Sequence, residues 1–259
     1  MSFLTMQLLQ GDNIEILKTI SDNTFDSCIT DSPYGISFNK HKWDYEVPSV
    51  ELWKEVYRVL KPGGYVVNFS SPRTYHRMVI NVEDAGFEIR DQLIWLNSQT
   101  MPKGNNLKSS HEPIVLACKG KPNKLNIDVC RNDYGKQPTP AHRKKESNQG
   151  HIFNFGENNY KPNELGRFPC NVICDDLDED WKRYFYHPKV RNGNNHPTQK
   201  PIPLMRWLID LTTPMNGNVL DCYMGSGSTG VACGTDYDFT GIEINEEYIN
   251  IVKERYAGH

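Results

Sequence analysis

The stretch Asn218-Val219-Leu220-Asp221-Cys222-Tyr223-Met224-Gly225-Ser226-Gly227-Ser228-Thr229-Gly230 constrains the fold more than any other in this chain. It reads as a short buried strand, a glycine turn and the start of a helix. Glycines let the backbone pass close to a ligand, and the amide groups at a helix N-terminus favour an anionic group. Taken literally, Gly225 to Gly230 also fits the dinucleotide fingerprint G-x-G-x-x-G. Against a nicotinamide site stand Asp221, a polar residue between the strand and the glycines, and the mere 29 residues that follow Gly230. The other strands of such a sheet have to come from upstream.

They are visible there. Residues 6–9 predict an early strand that turns at Gly11-Asp12-Asn13, after which Ile14, Ile16, Leu17 and Ile20 repeat at helical spacing. Residues 25–30 predict a second strand. Leu52, Val56, Val59 and Leu60 predict a helix that stops at Pro62-Gly63-Gly64, and residues 65–69 a strand. A helix follows over 72–84, with Tyr75, Met78, Val79 and Val82 inward and Gly86 at its end. Residues 88–95 and 112–118 predict two more strands, joined by a Gly/Asn/Ser-rich loop over 98–110. Residues 36–47, with Phe38, Trp43 and Tyr45, read as a mobile loop over a pocket, Trp43 packing it down or closing on a ligand. Beyond 195, Leu204, Trp207, Leu208 and Leu211 supply a helical face, residues 238–243 a strand ending in an acid, and Ile249, Val252 and Tyr256 a last helix. Strands alternating with helices at this spacing predict an α/β fold, a mainly parallel wound sheet with helices on both faces.

The periodicity fails between 119 and 195, where proline and asparagine become frequent and basic residues alternate with aromatics, as in His142-Arg143-Lys144-Lys145, Phe153, Phe155 and Tyr160. The formal charge of the chain is -3, so it is no polycation. Yet residues 119–191 carry 14 Lys and Arg against 10 Asp and Glu, leaving 15 against 22 for the rest, so the basic part is the middle. The acidic run over 175–180 would repel a polyanion and is expected to face away from one. The N-terminal residues lack a basic segment followed by an apolar core, and no run approaches a membrane span, so a cytoplasmic protein without a membrane partner is expected. Seven cysteines are scattered; Cys170 and Cys174 are spaced C-x-x-x-C with His187 beyond, but no second close pair completes a metal site, and reduced thiols with no metal are expected.

Near the start, Thr30-Asp31-Ser32-Pro33-Tyr34-Gly35 closes the second strand. A carboxylate, a proline-stiffened carbonyl and an aromatic face in consecutive steps suit a planar amine. An exocyclic amine on a nucleobase is a poor nucleophile because its lone pair is delocalised into the ring. The Asp31 carboxylate and the Ser32 backbone carbonyl accept its two hydrogens in this reading, Pro33 fixes the chain direction and Tyr34 stacks on the ring. The plainer reading is a strand exit in which Asp31 caps a turn and Tyr34 fills the core edge; a four-residue match alone does not exclude it.

Together, the Asp31 and Gly225 stretches resemble the β-class of amino-group DNA methyltransferases, in which a catalytic Asp-Pro-Pro-Tyr element precedes the S-adenosylmethionine loop. Four further matches keep the family's order. Leu9-Gln10-Gly11-Asp12 resembles the opening loop near the cofactor adenine, and Leu60-Lys61-Pro62-Gly63-Gly64 the turn before the next strand. His196-Pro197-Thr198-Gln199-Lys200-Pro201 resembles the turn preceding the helix before the glycine loop, and Gly241-Ile242-Glu243 the strand end whose acid holds the cofactor ribose. Ser32 departs from the family's first proline, Cys222 from the proline after the acid, and Tyr223 from a phenylalanine.

The resemblance implies a Rossmann-like methyltransferase with a catalytic half (1–118), an inserted target-recognition region (119–195) and a cofactor-binding half (196–259). It implies S-adenosylmethionine as methyl donor, with catalysis at Asp31, Ser32, Pro33 and Tyr34. Cofactor contacts fall to Asp12, Asp31, Lys200, Asp221, Tyr223, Gly225, Gly227, Ser228, Thr229 and Glu243. Double-stranded DNA is the implied partner, with room for a homodimer and for a companion restriction endonuclease. Aspartate in the first position resembles the adenine N6 enzymes more than the cytosine N4 enzymes, which usually begin with serine. A nicotinamide oxidoreductase and a non-catalytic DNA-binding module are the rival readings.

Overall fold

Eight strands form one sheet in the computed structural model, which describes residues 5–37, 44–96, 109–133, 163–174 and 199–257. The elements in chain order are β1 (Met6–Gln10), α1 (Asn13–Thr19), β2 (Phe25–Thr30), α2 (Val50–Val59), β3 (Leu60–Phe69), α3 (Tyr75–Asp84), β4 (Glu88–Leu96), β5 (His111–Cys118), β6 (Val172–Cys174), α4 (Ile202–Thr212), β7 (Asn218–Asp221), α5 (Ser228–Cys233), β8 (Asp238–Glu243) and α6 (Glu246–Ala257). The strand order is β1-β8-β7-β2-β3-β5-β4-β6. From β1 to β3 every pairing is parallel; β5 runs antiparallel to both β3 and β4, and β6 is parallel to β4. The expected mainly parallel sheet is therefore present, with β5 reversed inside it.

Alternation along the strands sorts the core onto two faces. Val67, Phe69, Val219 and Ile29 pack with Leu204, Leu208, Ile249 and Val252 of α4 and α6. Val66, Cys28, Leu220 and Phe25 pack with Leu17, Leu52, Val56, Met78 and Val82 of α1, α2 and α3. Three helices thus cover each face, α5 joining the first set through Ala232 and Cys233.

Three boundaries differ from the sequence reading, and β3, expected from 65, already begins at Leu60. The helix α2 ends at Val59, before Pro62-Gly63-Gly64: Leu60 is already extended, the amides of Asn23 and Thr24 donate to the carbonyls of Arg58 and Val59, and Lys119 donates its ammonium hydrogens to the carbonyls of Arg58 and Leu60 at 3.2 and 2.7 Å. Gly64 then passes so close to β2 that a Cβ would lie 2.7 Å from the Asp26 carbonyl oxygen. The helix expected from 72 begins at Tyr75, since residues 71–74 form a turn in which the Thr74 amide donates to the Ser71 carbonyl.

Of the segment 119–195, the described parts are tied to the core. Asn126 donates to the carbonyls of Asp210 and Thr213 at the end of α4, and β6 pairs with β4 at the sheet edge. The basic and aromatic residues 142–161, the acidic run 175–180, His187, residues 196–198, and Phe38 and Trp43 of the loop lie outside the described residues. No described helix is long and apolar enough to cross a membrane.

Candidate active site

The ends of β2 and β7 sit side by side, which brings the two marked stretches together. The Thr30 hydroxyl donates to Asp221 Oδ1 at 2.7 Å across 191 positions of sequence. Deeper in the same strand pair, Asp26 Oδ2 accepts from the Asn218 amide and from Lys61 Nζ, at 2.9 and 2.7 Å. Both strands end at the C-terminal edge of the parallel sheet, where ligands of open α/β folds bind.

Beyond β2 the chain places Asp31 and Tyr34 in a cluster of charged groups. Tyr34 donates its hydroxyl towards Asp31 Oδ1 at 2.9 Å and Glu112 Oε2 at 2.7 Å. Lys200 donates to Asp31 Oδ2 at 2.6 Å and to the Tyr34 hydroxyl at 3.0 Å, and lies 3.4 Å from Glu112. It also sits over the Phe69 ring, 4.8 Å from the centroid. Lys200 is 8% exposed, while the Asp31 and Glu112 side chains keep 26% and 22%. Burial pulls the Lys200 ammonium down, but the charges of Asp31 and Glu112 outweigh it and leave its pKa above the ordinary lysine value. Burial, followed by the same two carboxylates, holds the Tyr34 phenol well above its usual range, so it remains a hydrogen donor.

The main chain of this loop is fixed separately. Asp44 is 2% exposed, and its Oδ1 accepts from the amides of Tyr34 and Gly35 at 2.7 and 2.9 Å. The Thr74 hydroxyl donates to the Tyr34 carbonyl. Gly35 adopts φ +66 with Val47 N only 2.9 Å from where a Cβ would stand, so the bend after Tyr34 requires glycine. Ser32 is buried and its hydroxyl has no partner, a cost of about 1–3 kcal/mol that a proline at this position would not carry. On the far side of Gly35 a cavity of about 580 Å³ is lined by Tyr45, Val47, Arg77 and Asn81.

The glycine loop after β7 is built differently. Asp221, 2% exposed, accepts from Thr30, from the Tyr223 amide at 3.1 Å and from the Thr229 hydroxyl. Burial pushes its pKa up to about 6 against these hydrogen bonds, and the charge of Asp31 adds to the rise. Ser228 and Thr229 are buried, and the Thr229 hydroxyl ties the loop to Asp221. Gly225 adopts φ +52, and a Cβ there would meet nothing within 4 Å. Its backbone is therefore presented to open space. Glu243, at the end of β8, accepts from the Gly225 amide through Oε2 and from the Asn245 amide through Oε1, both at 2.8 Å. Because β1 pairs with β8, Gly11 donates to the Glu243 carbonyl at 3.0 Å, which sets Asp12 beside it as the cap of α1. Open space bounded by a glycine backbone and the acids at two neighbouring strand ends fits a ligand that carries hydroxyls and charge.

The model of the N6/N4 DNA methylase family matches residues 25–254. The chain belongs to that family. It is a DNA methyltransferase acting on exocyclic amino groups, its methyl donor is S-adenosylmethionine, and the nicotinamide reading of the glycine run falls away. Among curated relatives, the type II methyltransferase M.HpaI of Haemophilus parainfluenzae is 28% identical over 97% of this chain and 74% of its own length. The DNA adenine methyltransferase YhdJ of Escherichia coli (strain K12) is 27% identical over 94% of this chain and 80% of its own. Among solved structures, the cytosine-N4-specific PvuII DNA methyltransferase superposes with a TM-score of 0.69 at 16% identity, covering 98% of this chain and 87% of that one.

Asp31, Tyr34 and Lys200 thus share one cluster, and Asp12, Asp221, Tyr223, Gly225 and Glu243 share the neighbouring loops. Lys200, expected at the cofactor pocket, has its ammonium on Asp31 and Tyr34. Sequence reasoning missed Glu112 and Asp44. Glu112 opens the strand expected over 112–118; a carboxylate two positions ahead of the apolar run Ile114 to Cys118 was the available signal.

Proposed function

We propose that this methyltransferase acts on the N6 amine of adenine in double-stranded DNA. The observation that carries the reading is Asp31 itself, a partly exposed carboxylate at the end of β2, with an aromatic ring three residues on and the glycine loop one strand away. The adenine-directed relative YhdJ supports the choice of acceptor.

S-adenosylmethionine, when bound, supplies a methyl group made electrophilic by its sulfonium. The chain supplies placement. A base inside a duplex cannot reach Asp31, so the target nucleotide is extruded at a cost of a few kcal/mol. Stacking on the Tyr34 ring returns roughly 1–3 kcal/mol of that. Asp31 and the Ser32 carbonyl accept the amine hydrogens, which localises the nitrogen lone pair and aims it at the methyl carbon; Asp31 then takes the proton released. Pro33 stiffens this exit. Glu243 would accept from the ribose hydroxyls with the oxygen lone pairs that the Gly225 and Asn245 amides leave open. Gly225, Gly227 and Tyr223 would hold the amino-acid end and Asp12 the adenine, while Asp221, Ser228 and Thr229 shape the loop. The segment 119–195 supplies target recognition, its Lys and Arg meeting phosphates.

Incubation with methyl-labelled S-adenosylmethionine and duplex DNA, followed by nucleoside chromatography, tests the acceptor: label on N6-methyladenine is expected, and label on N4-methylcytosine instead would reject the adenine assignment. Affinity for DNA is expected to fall as salt rises, and a flat dependence would remove the phosphate contacts.

A further inference from the structure

The catalytic cluster sets one cation against two carboxylates. Lys200 is nearly enclosed, so its charge acts at close to full strength on Asp31 at 2.6 Å. Answered by Lys200 alone, Asp31 would be half of a neutral pair, and a carboxylate whose charge is matched by a touching ammonium polarises a further donor less. Glu112 shifts that balance. With it the three charged groups sum to one net negative charge, facing the place where positive charge appears as the amine nitrogen takes the methyl group.

A second feature points the same way. The Tyr34 hydroxyl has one hydrogen for two carboxylates, Glu112 stands at the shorter distance, and Lys200 donates to the oxygen from the other side. A hydrogen directed to Glu112 leaves Asp31 Oδ1 open for the amine. The reversed strand β5 makes this possible: because it runs antiparallel to β3, its beginning, where Glu112 sits, lies at the same sheet edge as the end of β2.

We propose that Glu112 is a positioning residue for the methyl transfer, offsetting Lys200 and engaging the Tyr34 hydroxyl so that Asp31 keeps its charge and a free oxygen for the amine. The inference rests on Asp31 being the amine acceptor. It distinguishes charge from shape. Glu112→Gln keeps the shape and removes the charge, so single-turnover transfer should fall about tenfold or more, with affinities for S-adenosylmethionine and DNA within about twofold of the parent. Glu112→Asp keeps the charge on a shorter stem and should remain within about threefold of the parent rate. Combining Glu112→Gln with Lys200→Met restores the net negative charge, and the double variant should be faster than Glu112→Gln alone. A parental rate in Glu112→Gln, Glu112→Asp slower than Glu112→Gln, or a double variant no faster than Glu112→Gln would each overturn the proposal. A fully active Asp31→Ala would instead overturn the reading beneath it.

Discussion

The two halves of the site hold their acids by different means. Asp31, just past the end of β2, and Glu112, at the start of β5, are answered by a formal cation, Lys200, drawn from 169 positions away in the case of Asp31. At the ends of β7 and β8, Asp221 and Glu243 are answered by neutral donors: the amides of Tyr223, Gly225 and Asn245 and the hydroxyls of Thr229 and Thr30. Amides and hydroxyls orient a carboxylate without cancelling its charge. The buried Asp221 consequently pays for desolvation and its pKa rises to about 6. One arrangement leaves a net negative charge on partly exposed carboxylates; the other uses acids as braces for a glycine loop whose backbone faces open space.

Removing the cation-held acid should have the largest effect. Asp31→Ala is expected to lower methyl transfer by about 10³-fold, while cofactor affinity, measured by titration, stays within about threefold. Equal loss of both would make Asp31 a folding residue and erase the distinction. Asp221→Asn tests the other half through pH. The folded state holds the Asp221 proton more tightly than the unfolded chain, so stability should fall as pH rises from about 4 to 6 and the full cost should persist above that, at most roughly 3 kcal/mol. Asparagine keeps the shape and cannot ionise. Urea unfolding across that range should show the slope flattened and the variant more stable than the parent near pH 7.5; an unchanged slope would mean that Asp221 is not the group responsible. Glu243→Ala comes next: it frees two loop amides and should weaken S-adenosylmethionine binding about tenfold or more, with a smaller change for DNA. Unchanged cofactor affinity would remove Glu243 from the site.

The same contrast explains what could be read from the residues alone. Asp221, the glycines and Glu243 lie within about two dozen positions, and their partners are mostly backbone groups of the same loops, so a local pattern carries them. β2 was legible to the residue because all of it but Asp26 is buried and it ends in turn formers. The pairing of Lys200 with Asp31 was not, since a lysine after a proline-bounded turn has the same local appearance on a surface as in a core. Glu112 needed more: its place depends on β5 being reversed, and strand direction follows from tertiary pairing. The end of α2 was misplaced for a similar reason, because its last carbonyls are taken by groups distant in sequence: the amides of Asn23 and Thr24 on Arg58 and Val59, and the Lys119 ammonium on Arg58.

Thr30 is the direct bridge between the halves, and its hydroxyl gives the finest test of the comparison. Thr30→Val is nearly isosteric and removes one of the donors to Asp221 Oδ1, leaving the Tyr223 amide at 3.1 Å. A buried carboxylate that loses a hydrogen-bond partner should cost about 1–2 kcal/mol of stability, because the lost bond was to a charged acceptor. That cost belongs to the ionised form. It should be largest above pH 6, shrink as Asp221 protonates, and move the midpoint of the Asp221 titration upward. A Thr30→Val loss of equal size at pH 5 and pH 8 would mean that the hydroxyl serves packing alone, and that the braced acid does not depend on neutral donors in the way its geometry indicates.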